Sequence, residues 1–199
     1  TQQLVDTTKK ILEEYEIEGV GVSCAGCINY ETGVVLLPSY SAPSMEGLEL
    51  ADIFKKNFGL ECVADNDVNC FGLAESISGY GKSLNQFLMM TIGTGIGGAI
   101  VYYNQVWHGG AWCGGEFGKM LLGNDSQSFE DIASTAALVR KCKKAGLNVD
   151  NGVEIFKLYD NGDPLVTEIV SQFFHDLAWG IANLVYIFDP EAIVIGGGI

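Results

Sequence analysis

The chain has 199 residues, of which 48% are hydrophobic and 18% charged, so its composition is that of a globular protein and not of a disordered one. Its formal net charge of −14 argues against a nucleic-acid partner, because neutralising phosphates requires clustered Lys and Arg. No apolar run reaches the roughly 18 residues of a membrane-spanning helix and no signal peptide is visible, so we expect a cytoplasmic protein with no membrane partner.

The N-terminal half of the sequence mixes predicted helices and strands. An apolar stripe of Leu4, Val5, Thr8, Ile11 and Leu12 predicts an amphipathic helix at the start. Further on, the pattern predicts strands at Gly19–Cys24, Val34–Leu37 and Glu61–Ala64, a helix at Glu49–Phe58 that Gly59 ends, and a helix that stops before Gly79.

The C-terminal half begins with a predicted β-meander and continues with helices. Strands are expected at Gln86–Ile92, Gly97–Tyr103 and Val106-Trp107, helices at Phe129–Ala145, Val153–Tyr159 and Pro164–Phe188, and a last strand at Ala192–Ile195. This change of pattern predicts two domains, residues 1–85 and 86–199. Because the chain opens inside a helix and closes on a glycine turn, we expect it to be part of a longer protein, trimmed at both ends.

Six scattered cysteines, at 24, 27, 62, 70, 113 and 142, fit reduced thiols better than a disulfide framework. The segment Cys24-Ala25-Gly26-Cys27 could be redox-active or half of a zinc site. No second C-x-x-C and no nearby His completes a zinc tetrahedron, so a strand end with two incidental cysteines is the favoured interpretation.

Asp67 is the candidate general base. It lies in the run Asp65-Asn66-Asp67-Val68-Asn69, where amide side chains could hold a carboxylate and grip sugar hydroxyls. The alternative is that Asp67 only caps the helix that follows, and Asp65 is taken as structural.

The turn Gly93–Gly98 lies between two predicted strands. Since a strand follows it and not a helix, a dinucleotide-binding fingerprint is excluded. The turn could contact phosphate through its backbone N–H groups and the Thr94 hydroxyl, or it could simply need positive φ angles. Together with Asp67 it points to phosphoryl transfer onto a hydroxyl.

Two further segments carry candidate side chains. Gly109–Lys119 is a glycine-rich loop that presents Glu116, and a flexible surface loop is its less favoured alternative because Trp112 and Phe117 would be exposed. Ser128 and Asp131 suit a capping box, which leaves Glu130 unexplained. His108 and His175 are interpreted as structural, with no ligand partner evident for either.

Four stretches, in matching order and spacing over nearly the whole chain, resemble the ROK family of sugar kinases and sugar-responsive repressors: Gly21–Val35, Asp65–Asn69, Thr91–Gly98 and Gly115–Lys119. The second resembles the family's E-N-D-x-N element, the third its T-x-G-T-G-I-G-G element and the fourth its G-E-x-G-H element. The resemblance implies an actin-like ATPase fold, in which two ribonuclease-H-like domains flank a cleft that holds ATP–Mg²⁺ and a hexose.

The resemblance also implies roles for individual residues. Asp67 would be the base for the sugar 6-hydroxyl, and Asn66, Glu116 and Glu130 would bind sugar hydroxyls, with Lys119 at the histidine position of G-E-x-G-H. The nucleotide would be held by two glycine turns, with Gly93, Thr94 and Gly95 on the phosphates and Gly196, Gly197 and Gly198 on the nucleoside side.

The chain departs from the family pattern in three ways. The N-terminal D-x-G-G-T phosphate loop is not in the sequence, Lys119 replaces the family's histidine, and Leu121–Ser128 stands without cysteine where other members carry a zinc cluster. We therefore predict no zinc and no other bound metal besides the Mg²⁺ of ATP. The loop Leu121–Ser128 is expected to be held by packing of Met120, Leu121, Leu122 and Phe129.

The prediction from the sequence is thus an ATP-dependent kinase that phosphorylates a hexose or hexoside at its 6-hydroxyl, resembling a glucokinase or a β-glucoside kinase and forming a homodimer. The alternative is a non-catalytic sugar-sensing domain of a ROK-type repressor. The presence of Asp67 favours the enzyme, because a sensor needs no base.

Overall fold

The computed structural model describes residues 2–39, 42–122 and 126–198 and shows a mixed α/β chain. Contacts between residues divide the chain into two compact units. One consists of Thr1–Phe71 with His108–Gly114, and the other of Gly72–Trp107 with Gly115–Ile199. The two domains predicted from the sequence, residues 1–85 and 86–199, stay a prediction.

The first unit contains a parallel strand pair, a hairpin and two helices. Its elements are α1 (Gln2–Glu14), β1 (Gly19–Cys24), β2 (Gly26–Asn29), β3 (Val34–Pro38), α2 (Leu50–Phe58), β4 (Glu61–Asn66) and the start of α3 (Asp67–Ser78). Strands β1 and β4 run parallel, with Cys24 opposite Asn66, and β2 pairs antiparallel with β3. Its hydrophobic core includes a cluster of Cys24, Ile28, Val35, Leu50 and Ala64.

Most of these elements were predicted, with three differences. In α1 only Val5 and Thr8 are buried, whereas Leu4 and Ile11 are exposed. Strand β4 is two residues longer than predicted, ending at Asn66. Strand β2 was missed, because Gly26 turns the chain with a φ of 116° directly after β1.

The second unit contains a four-stranded sheet covered by helices. Its strands are β5 (Gln86–Ile92), β6 (Ile96–Tyr102), β7 (Gln105–Val106) and β8 (Ala192–Gly197), in the order β7-β6-β5-β8. Its helices are the end of α3, α4 (Phe129–Ala133), α5 (Thr135–Lys144), α6 (Gly152–Asp160) and α7 (Pro164–Phe188). β5 pairs antiparallel with β6 and parallel with β8, and its side chains are mostly buried.

The predicted meander and the long helix that begins at Pro164 are confirmed. The single helix predicted for Phe129–Ala145 is wrong: Ser134 has extended backbone angles, φ −85° and ψ 162°, and separates α4 from α5. Its hydroxyl accepts a hydrogen bond from the N–H of Ala137 at 3.1 Å, so Ser134 caps the second helix. The predicted turn at Gly196 also differs, because Gly196 and Gly197 continue β8 beside β5.

Candidate active site

Asp67 lies at the junction between β4 and α3, and its carboxylate is not needed to cap the helix. The cap is Asn66, whose Oδ1 accepts hydrogen bonds from the N–H of Val68 at 2.8 Å and of Asn69 at 3.1 Å. Asp67 is exposed, and the hydrogen bond recorded for its carboxylate comes from the adjacent N–H of Val68, at 3.1 Å. The Asp67 carboxylate therefore remains accessible to a ligand.

The amide of Asn66 is occupied by the protein itself. Besides capping α3, it donates through Nδ2 to the carbonyl of Gly26 at 3.0 Å, which ties the junction to the start of β2. Gly26 cannot carry a side chain there, because a Cβ would lie 2.2 Å from the carbonyl oxygen of Leu37. Sugar binding by Asn66 stays a prediction, and it would require sharing these hydrogen bonds.

Asp65 connects the same junction to a more distant part of the first unit. Its Oδ1 accepts hydrogen bonds from the N–H of Asn66 at 2.7 Å and from Nδ2 of Asn69 at 3.0 Å. Its Oδ2 lies 2.8 Å from Nε2 of His108. His108, interpreted from the sequence as structural, thus has a carboxylate partner inside the first unit. Nothing in the linear sequence signals this pair, because the two residues are 43 positions apart.

The charge of Asp67 reaches nearby thiols of the first unit. Burial, and then the negative charge on Asp67, raise the pKa of Cys24. Burial also raises the pKa of Cys70, and the charges on Asp65 and Asp67 add to this effect while a hydrogen bond with Ser23 opposes it. The raised pKa keeps the Cys24 thiol in its neutral form, which is unfavourable for the redox chemistry considered for the Cys24-x-x-Cys27 segment.

In the second unit, the two predicted nucleotide-binding glycine segments lie together at the C-terminal ends of β5 and β8. Because β5 and β8 are parallel neighbours, Thr91 lies opposite Gly196 and Ile92 opposite Gly197. The N–H of Gly198 donates to the carbonyl of Ile92 at 3.0 Å, directly before the turn at Gly93. Gly93–Gly95 and Gly196–Gly198 are thus brought together, as a shared nucleotide site requires.

The turn after β5 is hydrogen-bonded to Thr135, the first residue of α5. The N–H of Thr135 donates to the carbonyl of Gly93 at 2.9 Å, and the N–H of Gly93 donates to the carbonyl of Gly95 at 3.0 Å. Thr94 is exposed at the tip of the turn. Neither Gly93 nor Gly95 has a positive φ, so the alternative of a turn that requires left-handed glycines does not apply to them.

Glu130 connects this turn to Lys119, at the end of the glycine-rich loop Gly109–Lys119. Its Oε1 forms an ion pair with Nζ of Lys119 at 2.5 Å, and its Oε2 accepts from the N–H of Ile96 at 3.4 Å. Glu116 is exposed and precedes the short 3₁₀ turn Phe117–Lys119. Lys119 and Glu130, both predicted to bind sugar, are therefore in direct contact with each other. The capping box of Ser128 and Asp131 is confirmed, and it sets the first turn of α4, on which Glu130 lies.

No group of three or more His, Cys, Asp and Glu side chains suited to a metal occurs in residues 2–39, 42–122 and 126–198. Residues 123–125 of the predicted loop Leu121–Ser128 lie outside the described residues. Of the residues expected to hold this loop, Phe129 is buried and Met120 and Leu122 pack on the core, but Leu121 is 68% exposed. Within the described part of the chain, no helix is both long and apolar enough to cross a membrane.

Comparison with known proteins gives the family. The model of the ROK family matches residues 1–199. A β-glucoside kinase of Klebsiella pneumoniae is 35% identical, over 92% of this chain and 64% of its own length. The structure of the Lmo2764 protein of Listeria monocytogenes has a TM-score of 0.90 and 32% identity, over 99% of this chain and 70% of its own. The structure of a ROK family glucokinase of Streptomyces griseus, in complex with glucose and AMPPNP, has a TM-score of 0.81 and 27% identity. The match covers 100% of this chain and 72% of the glucokinase.

These structures confirm the actin-like ATPase fold that the resemblance implies. The chain spans about two thirds of the length of its curated relatives, 68% and 64% for two of them, which agrees with the expectation of a longer protein. With four motifs in the family's order and a family match over its whole length, this chain belongs to the ROK family.

Proposed function

We propose that this chain is the larger part of a sugar kinase, which transfers a phosphoryl group from ATP to the 6-hydroxyl of a hexose or hexoside. The main observation in favour is that the carboxylate of Asp67 is exposed. It is available because Asn66, and not Asp67, caps the start of α3. The names of the relatives support it: one is a β-glucoside kinase, and the Streptomyces griseus structure holds glucose and an ATP analogue.

In this reaction Asp67 acts as the general base. Its carboxylate takes the proton of the acceptor hydroxyl while the hydroxyl oxygen forms its bond to the terminal phosphorus, the bridging bond breaks and ADP leaves. The proton thus ends on Asp67 and the phosphoryl group on the sugar. ATP with Mg²⁺ supplies the phosphoryl group when bound, and the metal is expected to be held mainly through phosphate oxygens, as Mg²⁺ usually is.

The two glycine segments Gly93–Gly95 and Gly196–Gly198 fit a phosphate ligand. A Cβ at Gly93 or at Gly198 would meet no atom within 4 Å, so each glycine borders open space at the ends of β5 and β8. Backbone N–H groups can bind phosphate without adding a charged side chain. The only basic side chain among the predicted site residues is Lys119, and its partner Glu130 already neutralises it.

Lys119 and Glu130 are proposed to bind the sugar as a pair, together with Glu116. Lys119 is a hydrogen-bond donor and Glu130 an acceptor, so the two can contact neighbouring hydroxyl groups of one ring.

The identity of the sugar and the homodimer stay predictions, as do the cytoplasmic location and the lack of a nucleic-acid partner.

The test is a comparison of two aspartate variants in the full-length protein. Asp67→Asn should retain sugar binding and lower kcat by about 10² or more, because general-base catalysis contributes roughly that much. Asp160→Asn, an exposed residue at the end of α6, is the control and should leave kcat unchanged. Activity is measured as ADP release with a panel of hexoses and β-glucosides, and the phosphorylated position is read by ³¹P–¹H NMR.

Near wild-type turnover by the Asp67→Asn variant would contradict the role of Asp67. Sugar binding by the wild-type protein without ADP release for any sugar would favour the sensing domain over the kinase. Phosphate on a hydroxyl other than O6 would correct the position of transfer and leave the kinase standing.

A further inference from the structure

The pair His108–Asp65 is almost fully enclosed. The side chains of His108 and Asp65 are 14% and 9% exposed, and Nε2 of His108 lies 2.8 Å from Oδ2 of Asp65. A carboxylate buried to this degree is costly unless donors satisfy it, and an ionised carboxylate can only accept hydrogen bonds. Nε2 of His108 therefore carries the proton and donates to Asp65.

Asp65 passes this constraint to two residues close to the proposed base, Asn66 before it and Asn69 after it. While His108 holds Oδ2, Oδ1 accepts from the backbone N–H of Asn66 and from the amide of Asn69. Asn66 immediately precedes Asp67 and caps the helix that Asp67 begins, and Asn69 lies in the first turn of that helix. The Asp65 carboxylate thus holds the peptide that precedes Asn66 and the amide side chain of Asn69, one residue on each side of Asp67 in the chain.

The imidazole of His108 is itself held on its faces. Tyr30 stacks on it with ring centroids 4.6 Å apart and an angle of 24° between the planes. Trp112 approaches it at 5.8 Å, and the N–H of Gly114 donates to the carbonyl of His108 at 2.9 Å. The short stretch His108–Gly114 groups with the first unit although the chain on either side of it belongs to the second.

We propose that His108 is a positioning residue for the base Asp67, acting through Asp65. The proposal rests on the proposed function, because it presupposes that Asp67 is the base. A buried histidine that served only the stability of the fold could bond to any carbonyl. This one bonds to a carboxylate that also accepts from the N–H of Asn66 and the amide of Asn69, before and after Asp67. Loss of the donor lets the Asp65 carboxylate rotate, and the aim of Asp67 at the acceptor hydroxyl becomes less exact.

The experiment uses the full-length protein and three substitutions. His108→Leu removes the donor and should lower kcat by about tenfold or more, since small misplacements of a catalytic group can cost up to about 10². The KM for ATP should stay within about twofold, because the nucleotide glycines lie in the other unit. His108→Gln places an amide N–H near the position of Nε2 and should restore most of kcat. His175→Gln, on the outer part of α7 beside Trp179, is the control and should change nothing.

A double variant separates positioning from folding. If His108 acts through Asp67, adding His108→Leu to Asp67→Asn should lower kcat no further than Asp67→Asn alone. If His108→Leu lowers kcat by the same factor in the Asp67→Asn protein as in the wild type, the proposal is overturned. Should His108→Leu not fold, His108→Gln and His108→Asn answer the same question, because both are amides and only the longer one reaches Asp65. Equal kcat values for these two amide variants would overturn it as well.

The two proposals fail in different ways. If Asp67→Asn has a wild-type kcat, the role of Asp67 as the base and the role of His108 as its positioning residue are both contradicted. A low kcat in Asp67→Asn with a wild-type kcat in His108→Leu removes only the role of His108.

Discussion

The carboxylate of Glu130 occupies the space that a side chain at Gly95 would need. A Cβ at Gly95 would lie 2.6 Å from Oε2 of Glu130, well inside van der Waals contact. The same oxygen accepts from the N–H of Ile96, one residue later in the chain. The absence of a side chain at Gly95 is therefore explained by the position of Glu130 and not by the backbone angles of the glycine.

Gly95→Ala should displace Glu130 without unfolding the protein. The atom in the way is the end of a flexible side chain, so the carboxylate can rotate away, at the cost of its contacts with Lys119 and Ile96. The expected result is a raised KM for the sugar, similar to that of Glu130→Ala. The double variant Gly95→Ala with Glu130→Ala should be no worse than Glu130→Ala alone. Steady-state kinetics of the full-length protein measure this.

Gly93→Ala is the matched control, because a Cβ at Gly93 meets nothing within 4 Å. Its stability should remain within about 0.5 kcal/mol of wild type. A rise in the KM for ATP of this variant, with the KM for sugar unchanged, is the signature of a phosphate approaching the turn. An unchanged KM for ATP in a folded Gly93→Ala protein speaks against phosphate binding there.

Gly98→Ala should damage the fold itself. Its Cβ would lie 2.1 Å from a ring carbon of Phe117 and 2.5 Å from the carbonyl oxygen of Gly115, and the backbone atom cannot move aside. Overpacking of this kind typically costs about 1–3 kcal/mol in the free energy of unfolding. Urea denaturation measures the loss, and Gly110→Ala, where a Cβ meets no atom within 4 Å, should show none. Equal stabilities of the two variants would show that the contact with Phe117 relaxes freely.

The charge of Asp67 can be detected through a nearby thiol. Burial and then the charge on Asp67 raise the pKa of Cys24, whereas burial alone raises the pKa of Cys62. Asp67→Asn removes a negative charge that disfavours the thiolate, so the pKa of Cys24 should fall and its thiolate fraction at a given alkaline pH should rise. Iodoacetamide labelling, resolved by residue in mass spectrometry, should become faster at Cys24 and stay unchanged at Cys62. Equal changes at both cysteines would indicate general loosening of the first unit instead.

We predict that the protein needs no zinc. The histidine position of the family's G-E-x-G-H element is Lys119, whose ammonium group pairs with Glu130 and is a poor metal ligand while protonated. Treatment with a chelator should leave the melting temperature unchanged. Stoichiometric zinc in elemental analysis, lost together with stability on chelation, would show that the protein binds zinc through other residues.

The sequence predicts those elements whose signals are local. Gly59 ends α2 with a φ of 72°, and Pro164 begins α7, because the backbone preferences of glycine and proline act within one turn. The break at Ser134 was missed for a related reason: a serine inside an apolar helical pattern can either continue the helix or cap the next one, and the pattern does not distinguish the two.

The candidate site residues were predictable only where they follow one another in the chain. Asp67 and the turn Gly93–Gly95 stand in recognisable runs. The bond of His108 to Asp65 and the hydrogen bond from the N–H of Ile96 to Glu130 both depend on tertiary structure. Neither pair has a spacing that periodicity could reveal, since 34 residues separate Glu130 from Ile96 and 43 separate His108 from Asp65.

The parallel pairing of β8 with β5 also bears on how the second unit is made during translation. β5 is complete early in the chain, but one of its two edges stays unpaired until Ala192–Gly197 has left the ribosome. Until then the open edge exposes unpaired N–H and C=O groups next to buried apolar side chains such as Leu88 and Met90. Because pairing between such distant segments is generally slow, we expect this strand of the nascent chain to be open for a time to wrong partners and to chaperones.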